Sequence, residues 1–323
     1  MHAVLKEIEK IGIVPVIKID RVEDAVPLAG ARQLELSVQY GPNYKEQTLC
    51  FADAAAIAEM TKAYPELLVG AGTVLTTAQA DEAVKAGARF IVSPGLSAAV
   101  VRHCTERGIP VVPGVNNPSG IEEALSLGLH TVKFFPAEPS GGVKMIKAMA
   151  APYGDVTFMP TGGVSPDNLL SYLSFRKIIA CGGSFMVKPE LLAAGDFAQI
   201  ERLTREAVDR MLDFRMVHIG INCENEEAAR AAAGTLSAFF SFPARETPVS
   251  VFGGEGFEFM KAPGRGTMGH IAVKTSSVER AVYHLSRRGV RFDEDSARFD
   301  ASGRPTFIYL RDEIAGFAIH LTE

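Results

Sequence analysis

The chain has 323 residues, of which 47% are hydrophobic and 22% charged, and its formal net charge is −5. This length predicts a large core and two domains. The mild acidity and the lack of basic runs argue against nucleic acid as the main partner, and no apolar run is long enough to predict a membrane span. With no pattern typical of a signal peptide, we expect a cytosolic protein whose four scattered cysteines are reduced.

Short apolar runs alternate with amphipathic stretches through the first two-thirds of the chain. The apolar runs lie at residues 12–18, 34–38, 67–72, 89–93, 110–113, 131–135, 156–160 and 177–181. The amphipathic stretches include residues 53–63, 77–86, 98–107, 119–127 and 142–149. Eight strands with intervening helices predict a (β/α)8 TIM barrel of the α/β class. A doubly wound open sheet is the alternative, but it would require a glycine-rich turn after the first strand, where the chain reads Ile17-Lys18-Ile19-Asp20.

Lys133 lies on the sixth predicted strand, between Val132 and the pair Phe134-Phe135. Apolar surroundings disfavour a charged amine, so they lower its pKa and leave a neutral nucleophile. Such a lysine can form a Schiff base with a 2-keto acid. A lysine that simply points outward from a half-buried strand is the alternative interpretation.

Glycines recur where the predicted strands end. Pairs follow strand seven (Gly162-Gly163) and strand eight (Gly182-Gly183). These are the positions at which barrels often bind a phosphate on backbone N–H groups. One such pair is commonly only a tight turn, whereas two at consecutive strand ends beside a buried lysine favour a phosphate site.

Eight motifs follow one another in order through the first two-thirds of the chain. They are Gly12-Ile13-Val14-Pro15-Val16-Ile17, Glu35-Leu36-Ser37, Gly70-Ala71-Gly72-Thr73-Val74-Leu75, Ser93-Pro94-Gly95, Val112-Pro113-Gly114-Val115, Lys133-Phe134-Phe135-Pro136-Ala137-Glu138, Pro160-Thr161-Gly162-Gly163-Val164 and Gly182-Gly183-Ser184. With these motifs, residues 1 to about 195 resemble the 2-keto-3-deoxy-6-phosphogluconate (KDPG) and 4-hydroxy-2-oxoglutarate (KHG) aldolases, which are class I enzymes. The resemblance implies a trimeric barrel that needs no cofactor, because the lysine matching Lys133 forms the Schiff base.

The same resemblance implies roles for other residues. Glu35 would relay protons, as a carboxylate near the lysine can. The positions matching the pyruvyl carboxylate and the wall of the pocket are Thr73, Pro94, Phe135 and Thr161. The positions matching the phosphate end are Gly162, Gly163, Gly183 and Ser184.

Two departures from the family pattern put the substrate in question. The family usually carries an arginine where this chain has Gln39, so a guanidinium that would clamp an anion is missing. Residues 40–48 also form a longer loop than is usual in the family. Lys18 stands where many relatives have arginine, and Lys18 or Lys45 could replace the lost charge and leave the substrate unchanged.

The remaining chain reads as a second unit. Helical patterns at 189–192 and 197–212 close the barrel, and we place the domain boundary between residues 212 and 213. The motif His218-Ile219 recurs as His270-Ile271, each before a helix and further strands. Such a repeat predicts two packed modules. The pattern resembles the vicinal oxygen chelate fold of glyoxalase-like proteins, and this resemblance implies a smaller α+β domain of two βαβββ modules.

That resemblance also implies a divalent-metal site. The matching positions are His218, Glu258, His270 and His320, and imidazole and carboxylate groups suit zinc and other transition metals. A metal-free module that shapes oligomerisation or covers the barrel mouth is the alternative.

The sequence therefore predicts a homo-oligomeric Schiff-base aldolase that releases pyruvate and an aldehyde from a small 2-keto acid. The aldehyde would be glyceraldehyde 3-phosphate or glyoxylate. A phosphosugar isomerase or epimerase barrel is one alternative, since it shares the glycine turns without needing Lys133. A catalytically retired sugar-acid-binding protein is another.

Overall fold

The computed structural model describes residues 1–30 and 54–323, together with the backbone of residues 36–39. The chain divides into two compact units, Met1–Met211 and Leu212–Glu323. Among the described residues, no helix combines the length and the apolar character needed to cross a membrane.

The first unit alternates parallel strands with helices. Its strands are β1 (Ile13–Ile17), β2 (Leu36–Gln39), β3 (Val69–Gly72), β4 (Ile91–Val92), β5 (Val111–Val112), β6 (Gly114–Val115), β7 (Thr131–Phe134), β8 (Thr157–Pro160) and β9 (Cys181–Gly183). Its helices are α1 (Ala3–Ile11), α2 (Ala25–Gly30), α3 (Ala54–Ala63), α4 (Thr77–Lys85), α5 (Ala98–Glu106), α6 (Pro118–Ser126), α7 (Gly142–Ala150), α8 (Leu169–Leu173), α9 (Pro189–Ala193) and α10 (Phe197–Leu212).

Parallel pairing in chain order closes these strands into the predicted barrel. One sheet has the order β5-β4-β3-β2-β1-β9, and a second has the order β6-β7-β8. A bridge between Thr161 and Gly182 links the β8 and β9 sides, and β5 and β6 form one barrel strand interrupted at Pro113. The core is mainly apolar; Val132 and Phe134, for example, are completely buried on either side of Lys133.

Local sequence signals mark the N-terminal ends of two helices of the first unit, α4 and α6. In α4, Thr76 and Gln79 form a reciprocal capping box. In α6, the Asn117 side chain accepts a hydrogen bond from the Gly120 N–H, and Pro118 occupies the first turn. These caps pair N–H groups in the first turns of α4 and α6, and both helices begin within one residue of the predicted position.

The eighth barrel strand is displaced along the chain from its predicted position. The apolar run predicts it at residues 177–181, but β9 covers Cys181–Gly183, so the predicted limits are wrong. The run 177–180 does lie beside β8, because the Phe158 N–H donates to the Lys177 carbonyl over 2.7 Å. The ladder with β1, however, forms at Cys181, Gly182 and Gly183. The hydrophobic pattern identifies the buried run 177–180, but it does not identify the glycines whose backbone pairs with β1.

The second unit contains two modules in which one strand and one helix are followed by three strands. The first module has β10 (Arg215–Asn222), α11 (Glu226–Phe240), β11 (Ala244–Glu246), β12 (Ser250–Gly253) and β13 (Phe257–Met260). The second has β14 (Gly269–Lys274), α12 (Val278–Arg287), β15 (Phe292–Phe299), β16 (Pro305–Leu310) and β17 (Phe317–Thr322). This is the α+β arrangement that the sequence predicts.

All eight strands of the second unit form one sheet. Its order is β11-β12-β13-β10-β14-β17-β16-β15, so the two modules meet where β10 and β14 pair antiparallel. Ala229 and Ala233 of α11 pack on Val251 and Phe259 of the sheet. One face of the first module is therefore the core, and the other face remains for polar side chains.

Candidate active site of the barrel and candidate metal centre of the second unit

Lys133 is buried in the barrel with only 5% of its surface exposed. Its backbone N–H donates to the Pro113 carbonyl over 2.9 Å, and it is paired with Gly114 on β6 and Met159 on β8. Burial lowers the pKa of the Lys133 amine from 10.5 to about 8, because the charged form loses its hydration. The lysine therefore supplies a much larger fraction of neutral amine near pH 7 than an exposed lysine does.

Phe135 and Thr161 are the side chains that define the space around the Lys133 amine. The ammonium nitrogen lies 4.4 Å from the centroid of the Phe135 ring. Thr161, at the end of β8, is buried, and its hydroxyl oxygen has no hydrogen-bond partner among the described residues. Thr73 and Thr161 line the same small cavity as Lys133. A buried hydroxyl without a partner is available to a polar group of a ligand.

A larger cavity of about 550 Å³ opens beside Thr161. It is lined by several residues that the sequence predicts for the phosphate end and the pocket wall, namely Lys18, Phe135, Thr161, Gly162, Gly163, Gly183 and Ser184. Gly162 and Gly163 have φ angles of 97° and 84°, a region that favours glycine. The two glycine pairs therefore come together on one cavity, as the strand order predicts.

The cations that line this cavity are already paired with carboxylates. Lys18 Nζ lies 2.8 Å from Asp20 Oδ1. Arg21 makes two hydrogen bonds to Asp24, of 2.9 and 2.6 Å. The charge presented to an incoming anion is correspondingly reduced. Arg21 and Asp24 were not predicted as site residues, since an Asp-Arg sequence just after a strand looks like an ordinary solvated turn.

Several predicted residues are placed differently or lie outside the described residues. Pro94 does not line either cavity; its carbonyl oxygen instead lies against Gly114, where an added Cβ would approach it to 1.9 Å. Glu35 and Lys45 lie outside the described residues, as does the loop 40–48. Gln39 is described only by its backbone, which pairs with Gly72. Their predicted roles stay predictions.

Comparison with known proteins matches residues 4–203 to the family described as KDPG and KHG aldolase. A 2-dehydro-3-deoxy-phosphogluconate aldolase from Treponema pallidum is 42% identical over 214 residues, which are 64% of this chain and 97% of that protein. A KHG/KDPG aldolase from Escherichia coli is 42% identical over 203 residues, covering 61% of this chain and 91% of its own length.

The chain belongs to the KDPG and KHG aldolase family. The structure of a Legionella pneumophila KDPG aldolase, with pyruvate captured as a covalent carbinolamine, superposes with a TM-score of 0.56 at 31% identity and covers 62% of this chain and 96% of that chain. A Zymomonas mobilis KDPG aldolase with 3-phosphoglycerate gives a TM-score of 0.55 at 35% identity, covering 63% and 94%. The second unit lies beyond the residues of the family match.

The second unit of this aldolase brings the four predicted metal-type residues together. The ligand atoms of His218, His270 and His320 lie within 4.8 Å of one another. Glu258 Oε2 lies 3.1 Å from Nε2 of both His218 and His270, and these two nitrogens are also 3.1 Å apart. Ligands on one zinc ion at about 2.1 Å lie roughly 3.0–3.4 Å from each other. The three groups therefore have the mutual spacing of ligands of one ion.

The pKa shifts of Glu258 and His320 favour the charged carboxylate and the neutral ring that bind a metal. Burial would raise the pKa of Glu258, but hydrogen bonds from His218, His270 and Ser250 outweigh burial and hold that pKa far below its usual value. Burial and the neighbouring histidines lower the pKa of His320 to about 4, so its ring is neutral near pH 7. Nδ1 of His320 is buried without a hydrogen-bond partner among the described residues. A neutral ring with an unsatisfied nitrogen is suited to a cation.

Ser250 is a further residue of this cluster that the sequence did not predict. Its hydroxyl donates to Glu258 Oε1 over 2.6 Å, while Oε2 faces the histidines. A hydrogen bond to the outer oxygen fixes how a carboxylate ligand is oriented. A serine eight residues before Glu258 carries no signal of this contact unless the pairing of β12 with β13 is known.

Proposed function

We propose that the chain is a Schiff-base aldolase that reversibly cleaves a 2-keto-3-deoxy sugar acid, or 4-hydroxy-2-oxoglutarate, into pyruvate and an aldehyde. The observation that carries the proposal is the burial of Lys133 on β7, with a pKa lowered to about 8. Lys133 lines a small cavity that shares Thr161 and Gly182 with the larger cavity of the two glycine turns. Membership of the aldolase family supports the same activity.

The reaction follows from the chemistry of a neutral buried amine. Lys133 Nζ adds to the C2 carbonyl carbon of the keto acid to give a carbinolamine, which loses water to form an iminium. When the C3–C4 bond breaks, its electron pair moves into the iminium and leaves an enamine, while the 4-hydroxyl loses its proton and becomes the aldehyde. Protonation of the enamine at C3 and hydrolysis then release pyruvate and restore Lys133.

Glu35 is the group that we propose to move these protons. Its carboxylate would accept the 4-hydroxyl proton and return a proton to the enamine, either directly or through one water. The support is its position one residue before β2, which is next to β1 and β3 in the barrel. Glu35→Gln should lower turnover by roughly 10²–10⁴-fold, the usual contribution of general acid–base catalysis.

Substrate choice depends on the far end of the cavity. Gly162, Gly163, Gly183 and Ser184 would hold a phosphate or a second carboxylate through backbone N–H groups. Lys18 and Arg21 are each paired with an aspartate, and Gln39 replaces the arginine that relatives usually carry. We therefore propose a weaker preference for the phosphorylated substrate than in arginine-bearing relatives.

A panel of 2-keto-3-deoxy acids with coupled detection of pyruvate tests this function. The panel compares phosphorylated and unphosphorylated sugar acids with 4-hydroxy-2-oxoglutarate, in the natural chain and in Lys133→Met. Pyruvate release that needs Lys133 supports the aldolase and excludes a retired binding protein. Gln39→Arg should move the ranking toward the phosphorylated acid, and an unchanged ranking would contradict the role of Gln39.

A second function is proposed for the second unit, as a divalent-metal site of the vicinal oxygen chelate type. His218, Glu258, His270 and His320 would hold the ion, supported by their spacing, by the buried free nitrogen of His320 and by the paired modules. When bound, such an ion would polarise an oxygen of a ligand. Elemental analysis of chelator-free protein tests occupancy, and His270→Ala should abolish it.

The assembly and the location of the protein are also part of the proposal. We expect a homotrimer, as the family resemblance implies, in the cytosol. Light scattering of the full chain tests the trimer, and a monomer at micromolar concentration would contradict it.

A further inference from the structure

The polar face of the second unit's sheet carries more than the metal-type residues. Val251 and Phe259 point toward α11, so their neighbours Ser250, Phe252 and Glu258 point to the opposite face, because side chains alternate along a strand. His218 belongs to the same face, since its ring nitrogen contacts Glu258. We name this surface, which carries the histidine cluster, the metal face.

Two arginines lie on aromatic rings at this face, one in each module. Arg245 and Phe252 are direct cross-strand partners on β11 and β12, and the Arg245 guanidinium carbon lies 4.2 Å from the centroid of the ring. Arg298 and Phe307 are partners on β15 and β16 at 4.6 Å. Guanidinium groups stack well on aromatic faces.

Each of these rings in turn touches a histidine of the metal cluster. The Phe252 centroid is 5.7 Å from the centroid of His218, and the Phe307 centroid is 4.6 Å from that of His320. One aromatic ring therefore separates each guanidinium from the cluster. The two arginines approach the cluster from different halves of the sheet, next to different histidines.

A guanidinium group that stacks on a ring can still bind an anion. Stacking uses the flat face of a guanidinium and leaves its N–H edge free for a bidentate contact with a carboxylate. Among the described residues, Arg245 and Arg298 form no ion pair. A third arginine shows the contrast, because Arg265 stacks on Tyr309 at 4.7 Å and is paired with Asp293. Arg265 therefore contributes little net charge.

The charges of the metal face favour an anion. A divalent ion and two unpaired guanidinium groups outweigh the single negative charge of Glu258. One anionic group cannot satisfy both the ion and an arginine that lies a full aromatic ring away. A ligand with two separated carboxylates can, because one reaches the ion while the other reaches a guanidinium edge.

We propose that the metal face binds a small organic dicarboxylate, with one carboxylate at the histidine cluster and the other on Arg245 or Arg298. The contact between a carboxylate and the ion rests on the metal site of the proposed function. The contact between the other carboxylate and an arginine does not depend on a bound metal. The expected ligand is therefore more specific than the ligand of a general metal site, because it must carry two carboxylates a few carbon atoms apart.

Calorimetric titration of the full chain tests the inference. Lys133→Met serves as the background, so that keto acids cannot form a Schiff base in the barrel. The protein is titrated with Zn²⁺ alone, and then the Zn²⁺-loaded protein is titrated with 2-oxoglutarate, pyruvate, 3-phosphoglycerate and dimethyl 2-oxoglutarate. We expect 2-oxoglutarate to bind at least roughly tenfold more tightly than pyruvate, since a charged hydrogen-bonded contact contributes about 1.5–3 kcal/mol.

Variants separate this inference from the metal proposal. Arg245→Gln or Arg298→Gln should weaken 2-oxoglutarate binding at least roughly tenfold and leave Zn²⁺ affinity unchanged. Arg291→Gln is the matched control, because Arg291 is an exposed arginine of the same unit paired with Asp312. Equal affinity for 2-oxoglutarate and its dimethyl ester, or no effect of either variant, would overturn the inference.

The remaining outcomes are also decisive. Tighter binding of 3-phosphoglycerate than of 2-oxoglutarate would replace the dicarboxylate with a phosphorylated acid and contradict the proposal. Arginine-dependent binding of 2-oxoglutarate to protein that takes up no Zn²⁺ would contradict the proposed metal site and support the arginine contact. Zn²⁺ uptake with no binding of 2-oxoglutarate would leave the metal site standing and overturn the dicarboxylate.

Discussion

We propose that the chemistry of the barrel depends on a single buried amine, that of Lys133. Lys133 is flanked along β7 by Val132 and Phe134, which are completely buried, and its side chain faces the Phe135 ring. The sequence predicts this much, because an apolar run around a lysine is visible without a structure. It does not predict Arg21 or Ser250, whose contacts depend on which turns and strands become neighbours.

The pH dependence of catalysis follows from the pKa of Lys133. With a pKa of about 8, roughly 10% of the amine is neutral at pH 7, compared with well under 1% for an ordinary lysine. On the alkaline side, kcat/KM for pyruvate release should rise with pH and level off just above pH 8. A rate that still climbs tenfold per pH unit above pH 9.5 would show that the amine is not perturbed.

Burial of Lys133 should also cost stability. Its pKa is lowered in the folded state, so the cost is fully present below pH 8 and disappears as the pH rises to 10.5. Lys133→Met should therefore raise the free energy of unfolding by about 2–3 kcal/mol more at pH 7 than at pH 10.5. Urea unfolding at both pH values measures this difference. Lys144→Met, at an exposed lysine of α7, is the matched control, and an equal difference in both variants would contradict the cost assigned to Lys133.

At the scale of the elements, the glycine turns and the strand ladder shape the site. The pattern of apolar runs predicts most strands within two residues, but the run 110–113 covers β5 and stops short of β6, and no run marks β11. Pro113 interrupts the fifth barrel strand since it has no N–H to donate. The residues of β11, Ala244, Arg245 and Glu246, are all exposed at the edge of the sheet, so they show no hydrophobic alternation.

The turn after β8 tolerates only glycine at Gly163. An added Cβ there would lie 2.6 Å from Cβ and Cγ of Glu138, whose carboxylate accepts a hydrogen bond from the Tyr172 hydroxyl and cannot easily move. The φ angle of 84° adds strain for any other residue. Gly163→Ala should lower the free energy of unfolding by about 1–3 kcal/mol and raise KM for the substrate.

Gly154→Ala is the matched control for this turn. Gly154 lies in a turn of the same barrel, with no heavy atom within 4 Å of an added Cβ. It should leave the free energy of unfolding and KM almost unchanged. Equal effects of the two substitutions would show that the Glu138 contact does not restrict the turn.

The whole molecule consists of two compact units, one with a covalent lysine chemistry and one with a metal-type cluster. The internal repeat predicts the second unit, because the two first-strand histidines are 52 residues apart in equivalent positions. The sequence could not predict that the arginines Arg245 and Arg298 stack on rings beside these histidines, since those contacts need the cross-strand register.

Metal binding should therefore stabilise the second unit and leave the aldolase reaction unchanged. At a Zn²⁺ concentration of 100 times Kd, the gain is about 2.7 kcal/mol for the unit that binds the ion. Calorimetric scans with Zn²⁺ and with chelator should differ in one transition only, and pyruvate release should be the same in both. Loss of pyruvate release on chelation would contradict the independence of the two chemistries.

Borohydride reduction in the presence of pyruvate tests the central claim most directly. Reduction of the iminium on Lys133 should add the mass of a reduced pyruvyl group to the peptide that contains Lys133, in parallel with irreversible loss of pyruvate release, and Lys133→Met should prevent both. An intact chain that stays unlabelled and active, or a label on a peptide without Lys133, would contradict the assignment of Lys133 as the Schiff-base lysine.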